Sequence, residues 1–190
     1  IKTMATTFSA VDIKQLWYAE TTAVTADLTG AILATILRTA KEVKNVHQDT
    51  WSIEEAEPSV TSYKNQITGS NYRQTKEMGD LVMSFTIGQY DYATKKDLMG
   101  GTLINTDKGW KRERGVVDIY KCMIALTEDN QYVVFPKATS ITREANTDGA
   151  IGLAVSATAL EPDNSDVSSE YWFDSSVVVE ASSLSNLSSK

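Results

Sequence analysis

The groups able to do chemistry in this chain are few and scattered. His47 is the only histidine among 190 residues, which removes any zinc site built on two histidines of one chain. Lying between Val46 and Gln48, it becomes a general base only where a nucleophile and an orienting acid converge on it. A solvated or hydrogen-bonded structural histidine is the expectation. Glu54, Glu55 and Glu57 crowd against Pro58. A glycosidase needs two carboxyl groups roughly 5 to 9 Å apart across a cleft, whereas neighbouring like charges beside a proline read as a solvated edge. Asp27, Asp129, Asp148, Asp163 and Asp166 lie in turn-like segments without the alternating oxygen ligands of a calcium loop, leaving open only a weak calcium contact at a seam between subunits.

Cys122, the single cysteine, excludes an intrachain disulfide and a multi-cysteine zinc site. It falls within a strand pattern and reads as an inert core thiol, with a reducing compartment the easier setting. Gly100-Gly101 lacks the Gly-Lys-Thr or Gly-Lys-Ser continuation of a phosphate loop, and no alternation of strands with long helices suggests a dinucleotide fold. No enzyme is expected, and no catalytic, cofactor-binding or metal site. The strongest basic feature is Lys108, Lys111, Arg112 and Arg114 around Trp110, with Glu113 inside it. Trp110 beside these cations has the chemistry to stack a nucleic-acid base. A protruding hairpin docking electrostatically on another subunit and an ordinary solvated loop stand beside that reading.

The elements carrying these groups are mostly strands. At Leu81–Gln89, Leu81, Met83, Phe85 and Ile87 share one face, the alternation of a half-buried strand. Val116–Thr127 reads as a long strand apolar on both faces, with Tyr120, Cys122, Ile124 and Leu126 opposite Val117, Ile119, Met123 and Ala125, interrupted by Lys121. Such a strand wants two partners, a second layer or another subunit. The turn Glu128-Asp129-Asn130 makes a hairpin with Tyr132–Phe135, which Pro136 is expected to stop, and a further β-like segment follows at Lys137–Glu144. In the next strand Ile151, Leu153, Val155, Ala157 and Ala159 face one way, and the small residues Gly152, Ala154, Ser156 and Thr158 the other. Tyr171–Phe173 and Val177–Val179 form a final β segment. Residues 31–41 have helical spacing behind a Thr or Asp cap. A second short helix is expected at 93–99, capped by Thr94 with Asp97 completing a capping box and ended by Gly100-Gly101. The sum is a mainly β fold: a two-layer antiparallel sandwich or barrel-like arrangement with one or two short flanking helices. Its divisions are an N-terminal arm at 1–26, a β-rich core at 27–162, and a final β segment with a flexible tail at 163–190.

Composition bounds the partners. With 18 Lys and Arg against 25 Asp and Glu, the formal charge is −7, which favours solubility and opposes tight wrapping by nucleic acid. No run reaches the eighteen apolar residues of a membrane span, and the first residues lack a basic-then-apolar signal pattern, so a soluble chain without membrane partners is expected.

Taken together, the runs Asn45–Pro58, Tyr63–Gln66, Phe85–Tyr90, Tyr132–Lys137 and Thr147–Leu153 resemble the major tail (tail tube) proteins of bacteriophages across most of residues 40–160. The resemblance implies a β-sandwich or barrel-like pair of sheets with a flanking helix, in hexameric rings that stack into a hollow tube for genome delivery. It implies a place in the virion tail after assembly in the host cytoplasm. Further partners would be tail completion, baseplate and tape-measure proteins, and DNA would pass without specific recognition. The family has no catalytic residues to carry over. Strands near 81–89 and 116–127 are expected as edges that pair across subunits. Segments 1–26 and 106–114 are expected to touch neighbours more than their own chain, and the channel lining to be neutral or acidic. The alternative is a non-catalytic binding module, such as a fibre or carbohydrate-recognition domain, in which Trp17, Trp110, Tyr171 and Trp172 line a groove.

Overall fold

A computed structural model describes residues 7–179; residues 1–6 of the expected arm and the expected flexible tail at 182–190 lie outside them. The described residues are mainly β, with antiparallel pairing throughout and two α-helices. Strands β1 (Ile13–Glu20), β2 (Lys41–Glu42), β3 (Ser52–Glu55), β6 (Leu81–Ile87), β9 (Tyr120–Thr127), β10 (Gln131–Thr147) and β11 (Ala150–Ala159) run in the order β2-β1-β9-β10-β11-β6-β3, with β12 (Tyr171–Asp174) also on β10. Two separate hairpins complete it, β4 (Ser59–Lys64) with β5 (Asn71–Glu77), and β7 (Thr102–Ile104) with β8 (Gly109–Lys111).

β10 makes one sheet behave as two leaves. Its first half pairs with β9 and β12, and its second half with β11. The β9 register slips between Phe135 and Ala138, where Pro136 sits without an N–H to contribute. The proline expected to stop the strand instead marks this bulge, and the strand continues to Thr147. One core lies between the leaves: Leu16 and Tyr18 of β1, Met123 and Ala125 of β9, Val133 and Phe135 of β10, Leu153 and Val155 of β11, and Met83, Phe85 and Ile87 of β6. The link 41–47 ties the leaves, since the Val43 N–H donates to the Leu16 carbonyl on β1 and the His47 N–H to the Thr86 carbonyl on β6.

A second core lies on the other side of β9, where Cys122 and Ile124 meet Leu33 and Ile36 of helix α1 (Gly30–Thr39). The two-sided apolar pattern of β9 is thus satisfied inside one chain, by the opposite leaf and by α1. Burial pushes the Cys122 thiol up to about 12. Lys121, also buried, pairs with Glu20 on β1. α1 is capped by Thr29, whose side chain accepts from the Ile32 N–H. α2 (Tyr92–Met99) is capped not by Thr94 but by Asp91, one turn earlier, which accepts from the Thr94 N–H at 2.6 Å. Gly100 and Gly101 end it at φ 75° and 92°, a region that glycine enters at no steric cost.

Three other expectations change. Val177–Val179, expected within the final β segment, is not a strand, since β12 ends at Asp174 and a 3-10 turn follows at Ser175–Val177. Of the segment read as an N-terminal arm, Ile13–Glu20 is a strand paired along β9, because Leu16 and Tyr18 supply an apolar face the core needs. The strand expected from Val116 begins at Tyr120, with Val116 almost fully exposed.

Candidate functional site

The four strands β10 (second half), β11, β6 and β3 form a leaf with one face on the core and the other left uncovered by either hydrophobic cluster. The register sets that outer face in rows: Thr139, Thr158, Val82 and Glu54; then Ile141, Ser156, Ser84 and Ser52; then Arg143, Ala154 and Thr86. Small and hydroxyl residues dominate, with one acid and one cation, so the surface is nearly flat and nearly neutral.

Among the described residues no strand pairs with either lateral edge of this leaf, and α2 lies beside β10 with Lys95 on Glu144. Pairing of β10 with β9 ends at Thr139, after which only the Ser140 N–H reaches back, to the Ile119 carbonyl. Hydrogen-bonding directions alternate along an antiparallel strand. The N–H and C=O groups of Thr142, Glu144 and Asn146 therefore point away from β11 toward no described strand. At the other side, the Ala56 N–H donates to the Asp80 carbonyl, which turns Ile53 and Glu55 of β3 outward from β6. The strands expected as edges, β6 and β9, are interior, because β11 and β3 flank β6 while β1 and β10 flank β9.

From the ends of β3 and β6 a two-stranded ribbon, β4–β5, projects with no third strand among the described residues. Nearly all of it is exposed on both faces, including Val60, Tyr63, Ile67 (95%) and Tyr72 (70%). An isolated two-stranded hairpin is marginally stable in water, and large apolar groups exposed together mark a contact surface.

The basic segment makes contacts within its own chain through Trp110. Trp110 of β8 donates its indole N–H to the Gly100 carbonyl at 2.8 Å, beneath Lys95 Nζ at 4.3 Å and Arg112 at 5.5 Å from the ring centre. Both cations also pair with Glu144 of β10. Trp110 therefore contacts its own chain, and the cations beside it are partly neutralised, which leaves Lys108, Lys111 and Arg114 as the exposed positive groups of that hairpin. Hydrogen bonding from Lys95, aided by the charges of Lys95 and Arg112, holds the Glu144 carboxyl below its ordinary range. A depressed folded value gives stability that is present above the unfolded carboxyl value and is lost as pH falls through the folded one. Wild type is expected to exceed Glu144→Gln in urea midpoint at neutral pH and to converge with it near pH 2, with Trp110 fluorescence following the change; a pH-independent gap would show that the pair contributes nothing.

His47 Nε2 lies 3.0 Å from Asp148 Oδ2 at the β10–β11 turn, beside an open groove of about 560 Å³ lined by Lys14, Leu16, Val43 and Trp51. The Thr50 hydroxyl is committed to the backbone, donating to the His47 carbonyl at 2.6 Å and accepting from the Thr86 N–H. The carboxylate of an acid–base pair is present, and no described hydroxyl or thiol meets the imidazole. Glu54 and Glu55 end β3, Glu57 follows, and all three are exposed. Asp27 accepts from the Tyr171 hydroxyl, Asp163 takes Lys137, and Asp129 sits at the β9–β10 turn. Among the described residues no three His, Cys, Asp or Glu groups converge to hold a metal.

Of the four aromatics that the binding-module alternative puts in one groove, Trp17 and Tyr171 pack against the core beneath α1, and Trp110 and Trp172 lie outside it. Trp17 packs against Tyr132, Trp110 against α2, Tyr171 on Phe173, and Trp172 on Phe8. Sequence patterns missed the ribbon and both open edges, since exposure on two faces leaves no period and an edge is defined only by pairing. In comparison with known proteins, no family model matches the chain and no curated protein does.

Proposed function

We propose that this chain is a structural virion protein whose copies close into rings and stack as a phage tail tube, a conduit for the genome. The observation that carries the reading is the pair of open edges on the β10–β11–β6–β3 leaf. Four antiparallel strands leave β10 and β3 running in opposite directions, so β3 of one copy meets β10 of the next antiparallel, without inversion. The parity also fits: Ile53 and Glu144, both free to bond laterally, both turn their side chains to the core side. Edge pairing therefore keeps every copy's small-residue face on one surface of the ring. Closure removes edges that would otherwise recruit strands without limit.

Six copies, the number the family resemblance implies, would give about 24 strands and, at about 4.8 Å spacing and a tilt of about 40°, a backbone diameter near 45–50 Å, ample for duplex DNA about 20 Å across. A lining of Thr, Ser and Ala with Val82, Ile141 and one Glu54 per Arg143 offers phosphate no dense row of cations, so DNA would slide without salt-dependent retention. No acid–base site, cofactor or sequence-specific contact is invoked. Negative-stain imaging of concentrated protein tests this: closed rings or hollow tubes are expected, and a solution of single copies at every concentration would overturn it.

A further inference from the structure

Lateral edges explain a ring but leave the β4–β5 ribbon without a role. The ribbon carries Lys64, Arg73 and Lys76 against the single acid Glu77, in a chain whose formal charge is −7. Its exposed apolar groups, Val60, Tyr63, Ile67 and Tyr72, accompany those cations. A surface of opposite character lies at the other end of β10's first half. There the β9–β10 turn exposes Glu128 and Asp129, with the single cation Lys14 donating to Asn130 Oδ1 at 2.9 Å, and the turn is joined to its surroundings by the Glu128 N–H to the Val11 carbonyl and the Ser175 N–H to the Asn130 carbonyl. Asp174 accepts from Gln131 beside it. Next to these acids, Phe8 stacks on Trp172 at 6.1 Å while both remain about half exposed.

We infer that the β4–β5 ribbon of one copy docks on this acidic, aromatic end of a second copy, through charge pairing and apolar contact. The inference rests on the reading of the chain as a self-assembling protein, and it names a contact separate from the β3–β10 edges. Complementary charge sets which surfaces meet and repels like ones. The apolar groups of both surfaces provide the burial that exposed ion pairs, worth little alone, do not. A two-stranded ribbon also gains order by lying on a second surface.

Charge reversal on each surface separates the possibilities. K64E/R73E makes the ribbon acidic opposite an acidic acceptor, and E128K/D129K makes the acceptor basic opposite a basic ribbon. Each purified variant should keep the wild-type circular dichroism and melting curve, and each alone should sediment several-fold more slowly than wild type under the same conditions. Mixed in equal amounts, every contact between the two variants is again attractive, and sedimentation should return toward wild type. Failure to recover on mixing, or wild-type sedimentation of either variant alone, would overturn the docking. Imaging of the same samples reads the ring proposal independently. Closed rings that do not associate on mixing would leave the ring intact and the docking wrong, whereas recovered association without closed rings would do the reverse.

Discussion

Proline at Glu55 or Thr142 is expected to abolish ring formation while leaving a folded single copy. Both residues aim their N–H groups out of the sheet, Glu55 because Ala56 bonds inward to Asp80, and Thr142 because Ser140 bonds toward Ile119. Replacing either removes no backbone hydrogen bond made among the described residues, although Thr142→Pro also loses the hydroxyl contact with Ser140 at 3.2 Å, and edge positions whose N–H faces solvent are where sheets accept proline. Fold stability should therefore change by only about 1 kcal/mol, the residual coming from the fixed φ of the ring. Across a β3–β10 contact the same change removes a donor and places a pyrrolidine ring in the path of the neighbour. Loss of one or two bonds at about 1 kcal/mol each, with the steric obstruction, should raise the concentration needed for assembly by at least about a hundredfold. Val82→Pro, on the interior strand β6, serves as the contrast and should unfold the chain. Sedimentation velocity with far-ultraviolet spectra decides the matter, and rings from Glu55→Pro at wild-type concentrations would dismiss the proposed edge.

Phe85→Ala is expected to cost about 3–5 kcal/mol of folding stability. Phe85 is 2% exposed and sits on β6 within the core between the two leaves, among the largest buried side chains. Its removal leaves a void where β1, β9 and β6 face each other across rigid backbone, which limits collapse into the space. Against the roughly 5–15 kcal/mol of a typical domain, the variant should approach half unfolding under mild denaturant. A urea titration with unchanged slope measures the difference, and a loss below about 1 kcal/mol would show that the leaves close around the gap.

How much of this was legible depended on whether a strand buries one face. β6 was, because Met83, Phe85 and Ile87 alternate with Val82, Ser84 and Thr86, and the structure sends the first set to the core and the second to the leaf's outer face. The hydrophobic content of β9 on both faces correctly demanded two layers, and α1 turned out to be one of them. β4 and β5 carried no such signal, since Ser59–Lys64 and Asn71–Glu77 bury neither face and so show no period for burial to impose. The edges were misplaced for a related reason. Periodicity reports depth, while lateral position follows from which strands find one another at long range, as Leu153 finds Ile87 across 66 positions of the chain. Asp91 was overlooked as a cap because Thr94 stood within the helical spacing, although a short acid just ahead of the first turn is the stronger signal. Of the candidate site, the small-residue face of β11 could be read in advance and the two open edges could not.

β10 passes without interruption from the leaf beneath α1 to the leaf with the uncovered face, and the link 41–47 fastens the same two leaves from the opposite side. Neither leaf can melt alone, because opening one strips hydrogen bonds from a strand and a link that the other also needs. The body should thus open as one cooperative unit, with amide protons of both leaves exchanging at a shared, slow rate. The ribbon stands outside that unit, joined to it only through the ends of β3 and β6. Its amides are free to exchange on their own faster schedule, which makes it the part of the molecule able to rearrange at no cost to the rest.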